Sequence, residues 1–194
     1  MASLALDVFR RLLAQVDEIE AVAGRAESEG YALAAPVLRR SAYVLAVAAI
    51  DTYFHELAVR LLAPAGKANL TDAARVADYL QRVSAATVNG PSSESHVRLQ
   101  LSYKTLVGPK SVTSMLTAAG RKGDVVWHDV SYAMGSRPDR VQMQLQLFYD
   151  RRNQIAHEGD WDFIQLDFRK MEQAHLADVV RFAVSLTQAM DAVI

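Results

Sequence analysis

Apolar positions recur at steps of three and four along most of this chain, and the few stretches that could be strands are too short and isolated to pair into a sheet. The pattern predicts an all-α helical bundle. A first helix is expected from a Ser3 N-cap to about Glu29, with Leu6, Phe9, Leu13, Val16 and Val22 on one side and Gly30 as its stop. A second is expected from about Pro36 to Leu62, ended by Pro64 and Gly66. Between Ala42 and Ile50 it is apolar almost all round, which marks the most buried element. Thr71 is expected to cap a third helix, which reaches about Ala86 before Asn89-Gly90-Pro91-Ser92-Ser93 breaks the chain.

Shorter helical pieces follow over about 97–106, 111–119 and 125–134, punctuated by Gly108, Pro109, Gly120 and Gly123. No internal repeat, low-complexity tract or shift of composition divides the chain. It reads as one domain, 1–194, in which short helices over about 89–136 elaborate the middle third of an up-and-down bundle. Two long helices close it, Pro138 to about Ala156 and about Asp167 to Val193. The first carries an apolar stripe at Val141, Leu145, Phe148 and Ile155. Arg152 stands where that stripe calls for a hydrophobe. A guanidinium so placed has to be paired or hydrogen-bonded, because burying it bare costs several kcal/mol.

Composition narrows the chemistry. Of 194 residues, 21 are Lys or Arg and 22 are Asp or Glu, a formal net charge of −1, and 51% are hydrophobic. A chain this long buries about two-thirds of its extended surface and folds without staples. It lacks the cationic excess needed to coat nucleic acid or anionic membrane, so any such contact has to be local. With no cysteine there is no disulfide framework, thiolate metal site, iron–sulfur cluster or cysteine nucleophile. The greasiest run, Ser41 to Ile50, falls short of the roughly 18 apolar residues of a membrane span. Residues 1–13 meet Asp7 before any basic residue and read as an amphipathic helix rather than a signal peptide, so a cytoplasmic location is expected.

The candidate chemistry lies in Arg152-Asn153-Gln154-Ile155-Ala156-His157, followed by Glu158-Gly159-Asp160. Gly159 is expected to stop the helix, which puts His157 in its last turn, where the helix dipole favours the imidazolium. Arg152 and His157 are five residues and so about 140° apart on a straight helix. Fraying of the helix end, or a site shared with a second subunit, has to bring them together. Asp51 and His55 form a second polar intrusion, one turn apart on the central helix, where they can touch.

Arg152, Asn153 and His157, together with the apolar helix Ser41 to Leu62, resemble the HEPN family (higher eukaryotes and prokaryotes nucleotide-binding domains), especially its prokaryotic ribonuclease-associated branch. About half the chain carries the likeness. It implies a helical bundle that pairs as a two-fold homodimer, sets both Arg–His motifs along one cleft and cuts RNA without metal or cofactor. Arg152 would then neutralise the phosphorane, His157 would act as general base or acid, and Asn153 would fix a phosphate or the histidine. An acidic residue often stands near the motif in such helices, so Asp51 could neutralise Arg152 or orient His157, with His55 beside it. Arg151 is a second arginine at a comparable spacing from His157. The spacing alone is common: Arg169 with His175 is six residues apart, as Arg151 is from His157.

These readings lead to a metal-independent endoribonuclease, a toxin or antiphage defence effector restrained by an antitoxin or other protein. From a different class comes a non-catalytic HEPN-like module that binds a nucleotide or a protein and keeps the motif as a structural salt bridge. His96 and His128 have no partners in sequence and are expected at the surface. Trp127, Trp161 and Phe163 are expected to anchor loops. Glu172 and His175 have the spacing of a di-iron bundle motif but lack the second copy that such a site needs.

Overall fold

The computed structural model describes residues 3–31 and 33–194, and among them it contains nine helices and one short hairpin. The molecule is an all-α bundle. Helix α1, Leu4–Ser28, begins where the Ser3 hydroxyl accepts the Leu6 amide at 3.2 Å. Its buried stripe runs Leu6, Phe9, Leu13, Val16 and then Ala23. Val22, expected on that stripe, is 42% exposed. From Val16 a step of seven returns within about 20° of the same face, whereas a step of six lands about 120° away.

Helix α2, Ala34–Ala68, is the axis of the bundle and packs against α1 and six later helices. Ala42, Ala46, Ala49, Ile50, Tyr53 and Leu57 are all fully or almost fully buried along it. By length and composition alone α2 could cross a membrane; here 61% of its most apolar window is covered by the rest of the chain. Contrary to expectation it runs through Pro64. The proline leaves the Arg60 carbonyl without its helical amide. Burial of Leu62, Ala63 and Gly66 on either side keeps the helix going. Gly66 sits so close to Val88 that a Cβ there would lie 2.2 Å from its methyl group.

Helix α3, Leu70–Leu80, starts two residues earlier than expected, because the Asn69 side chain, rather than Thr71, accepts the Asp72 amide at 2.8 Å. It also ends earlier, where Gln81 turns left-handed at φ 70°. Short helices α4 (Ala85–Asn89), α5 (Ser93–Leu101), α6 (Pro109–Ala118) and α7 (Gly123–Ala133) make up the middle third. Trp127 anchors α7 in the core, with its indole N–H donated to the Thr113 hydroxyl at 2.9 Å.

Helix α8, Pro138–Glu158, buries Val141, Leu145 and Phe148. Phe148 meets Tyr43 of α2 and Phe182 of the last helix edge-on, with ring centres 6.3 and 5.2 Å apart. That last helix, α9, spans Gln173–Val193 rather than starting near Asp167. The residues before it form an antiparallel hairpin, β1 Trp161–Asp162 and β2 Asp167–Phe168, which corrects the expectation that no strands pair. The Asp162 carboxylate makes the turn by accepting the Ile164 and Gln165 amides at 2.9 and 3.1 Å.

Candidate functional site at the end of helix α8

Helix α8 stops in two consecutive left-handed residues, Gly159 at φ 63° and Asp160 at φ 65°, and both amides donate to the Gln154 carbonyl. His157 is exposed in the last turn. Arg152 is half-buried on the face below Leu145. Its Nη1 donates to the Asn153 side-chain oxygen at 2.9 Å, and its guanidinium lies 6.0 Å from the centre of the Tyr149 ring. Its Nε is buried and has no hydrogen-bond partner among the described residues. Asn153 is four residues before His157 and about 40° from it around the helix. The Arg152–Asn153 bond therefore draws one arm of the guanidinium off the core face toward the flank that carries His157. No hydrogen bond or ion pair joins Arg152 directly to His157 among the described residues.

The other expected members lie elsewhere. Asp51 accepts the Leu106 amide at 2.6 Å and stands 3.8 Å from the His55 ring nitrogen. The pair does touch, as its spacing requires, but it faces the loop between α5 and α6. Asp51 makes no hydrogen bond or ion pair to Arg152 or His157 among the described residues. Its carboxylate holds the segment that feeds α6.

Arg151 turns the opposite way from Arg152, onto Asp160, a fully buried carboxylate that the sequence reading passed over. Arg151 Nη2 donates to Asp160 Oδ2 at 3.0 Å, and its Nη1 pairs with Oδ1. From α2, Arg40 Nε donates to the same Oδ2 at 2.7 Å, while its Nη2 donates to the Arg169 carbonyl at 2.6 Å. Burial holds the Arg151 guanidinium below its usual range, opposed by the attraction of Asp160. Arg169 completes the cluster: its backbone amide donates to the Asp160 carbonyl at 2.9 Å and its Nη1 to the Trp161 carbonyl at 2.7 Å. The only sequence cue to Asp160 is an aspartate after a helix-stopping glycine; its α2 partner is 120 residues away.

Beside this helix end opens a groove of about 1300 Å³. Val37 and Val44 of α2, Ile155 and Ala156 of α8, Phe168 of the hairpin and Met171 give it an apolar lining. Arg39 stands on its α1 side, where it donates to Glu20 at 3.1 Å and to Glu27 at 2.7 Å. His128 is exposed, His96 is half-buried with its Nδ1 2.8 Å from the Ser92 carbonyl oxygen, and Phe163, expected to anchor a loop, is 67% exposed at the hairpin tip. Glu172 and His175 form a helix cap, in which the histidine Nδ1 accepts the Glu172 amide at 3.0 Å. No group of three or more His, Asp or Glu side chains able to hold a metal ion occurs among the described residues. Compared with protein-family models, curated proteins and solved structures, the chain matches none.

Proposed function

We propose that this protein is a metal-independent endoribonuclease of the HEPN kind, a toxin or antiphage defence effector that acts as a homodimer under the restraint of a protein partner. The reading rests on one geometric relation: Asn153 receives the Arg152 guanidinium and stands one helical turn from an exposed His157. It supplies a link across the angle that otherwise separates the two residues.

In this chemistry the ribose 2′-oxygen forms a bond to phosphorus as the bond to the 5′-oxygen breaks. A base takes the 2′-hydroxyl proton and an acid protonates the departing 5′-oxygen, leaving a 2′,3′-cyclic phosphate and a 5′-hydroxyl. His157 serves one of these proton transfers, and a second copy of the chain supplies the other. Arg152 keeps donors beyond the one given to Asn153, and these suit the phosphorane oxygens through their planar fork. A non-catalytic binding module is the second reading. It is favoured by the lack of a direct Arg152–His157 bond within one chain.

Incubating RNA with wild type and with His157→Ala in EDTA separates the two. We expect 2′,3′-cyclic ends from wild type and a loss of about 10² to 10⁴ in rate for the variant. An inactive wild type favours the binding module. Growth arrest on expression, relieved by Arg152→Ala, is a second readout in the same direction.

A further inference from the structure

We infer that Asp160 is a positioning residue: its buried carboxylate, gripped by Arg151 from within α8 and by Arg40 from α2, fixes the helix turn that carries His157. Three observations combine. The side chain is 0% exposed yet charged, a placement tolerated only with close partners, and it has two arginines on its two oxygens. Its backbone is left-handed without being glycine, so a local conformational penalty is accepted to place this carboxylate here. Finally, the backbone of the same residue closes α8 through the Gln154 carbonyl and opens the hairpin through the Arg169 amide. One residue thus joins α2, the end of α8 and the base of the hairpin, three positions beyond His157.

This arrangement also divides the neighbouring arginines by role. Arg151 is held by Asp160 and by the Lys170 carbonyl at 3.3 Å, so it serves the scaffold. Arg152, bonded to Asn153 alone among the described side chains, is the one left to meet a ligand. Small displacements at such a site are costly, since misplacing a reacting group by about 1 Å lowers rates by about 10²-fold. The catalytic consequence rests on the ribonuclease reading; the placement of His157 does not.

The test uses full-length wild type, Asp160→Asn and Arg40→Lys. Asn keeps the shape of the side chain and removes its charge. Lys keeps a charge at 40 and removes the fork, so it is available if Asp160→Asn does not fold. Imidazole resonances are recorded by NMR, with His157 assigned through His157→Ala, and kcat and KM are measured on RNA in EDTA. In a folded variant we expect the His157 signals to shift or broaden while those of His55, His96 and His128 stay. The expected kinetic counterpart is a fall in kcat of about ten-fold or more with KM little changed. Unmoved His157 signals in a folded variant overturn the inference, whether or not kcat falls. If the His157 signals move while wild type cuts no RNA, the clamp stands and the ribonuclease reading fails.

Discussion

Arg39 and Arg40 are consecutive residues of α2, and they build opposite clusters. Arg39 is one cation between two carboxylates, Glu20 and Glu27 of α1. Arg40 and Arg151 are two cations on one carboxylate, Asp160. Successive residues point about 100° apart on a helix, so a single step along α2 turns from an anionic α1 side to a cationic α8 side. A formal net charge of −1 therefore conceals two neighbouring clusters of opposite make-up, one with two carboxylates on a single arginine and one with two arginines on a single carboxylate. The clusters also differ in access to water. The Glu27 side chain is 62% exposed and Asp160 is 0% exposed.

That contrast can be broken from either end. Asp160→Ala strands two arginines with poor access to solvent and should destabilise the protein by about 3 to 5 kcal/mol in denaturant unfolding. Arg39→Met leaves Glu27 free to rehydrate and only Glu20 partly covered, and should cost less, about 1 to 2 kcal/mol. Equal losses would mean that burial does not distinguish the clusters. Gly159→Ala should cost about 1 kcal/mol, because the new methyl meets open space and only the left-handed backbone at φ 63° resists it.

Acid should act on the Arg39 side. The hydrogen bond and charge of Arg39 hold the Glu27 carboxyl below its ordinary value of 4.5. Glu27 thus binds its proton less readily folded than unfolded, so its contribution is complete above that value and is lost as pH falls through the depressed one. Thermal melts below pH 5 should show a decline that Arg39→Met flattens. The smallest effect is expected at the hairpin tip, where Ile164 is 93% exposed. Ile164→Ser should stay within about 0.5 kcal/mol of wild type, and a larger loss would reveal packing on that tip.

What could be read in advance was the part that periodicity governs. Val141, Leu145 and Phe148 announce the inner face of α8, Ala42 to Ile50 the axis of the bundle, and Gly159 the end of α8. Local chemistry misled where two signals competed: Asn69 and Thr71 are both good caps, and only the fold selects the first. Pro64 is a helix stop by local rule and was overridden by burial around it. The hairpin has strands of two residues, too short for any alternation to register. At the candidate site, Arg152, Asn153 and His157 stand out in the sequence because they are neighbours in it. Asp51 was assigned to them by resemblance and faces the Leu106 loop instead. Asp160 was invisible because its meaning depends on Arg40, which only the folded chain brings near.

The bare position at Gly66 has a consequence for α4. Five residues are too few to sustain a helix unaided, so this segment borrows its shape from its host. Val88 enters the space left empty at 66, and the Asn89 amide group donates to the Gly66 carbonyl at 3.0 Å. The segment is seated like a bolt in a socket cut into the long helix. Any branch added at 66 would push the bolt out and release the whole strap from 81 to 92, without touching a single residue of the arginine clusters.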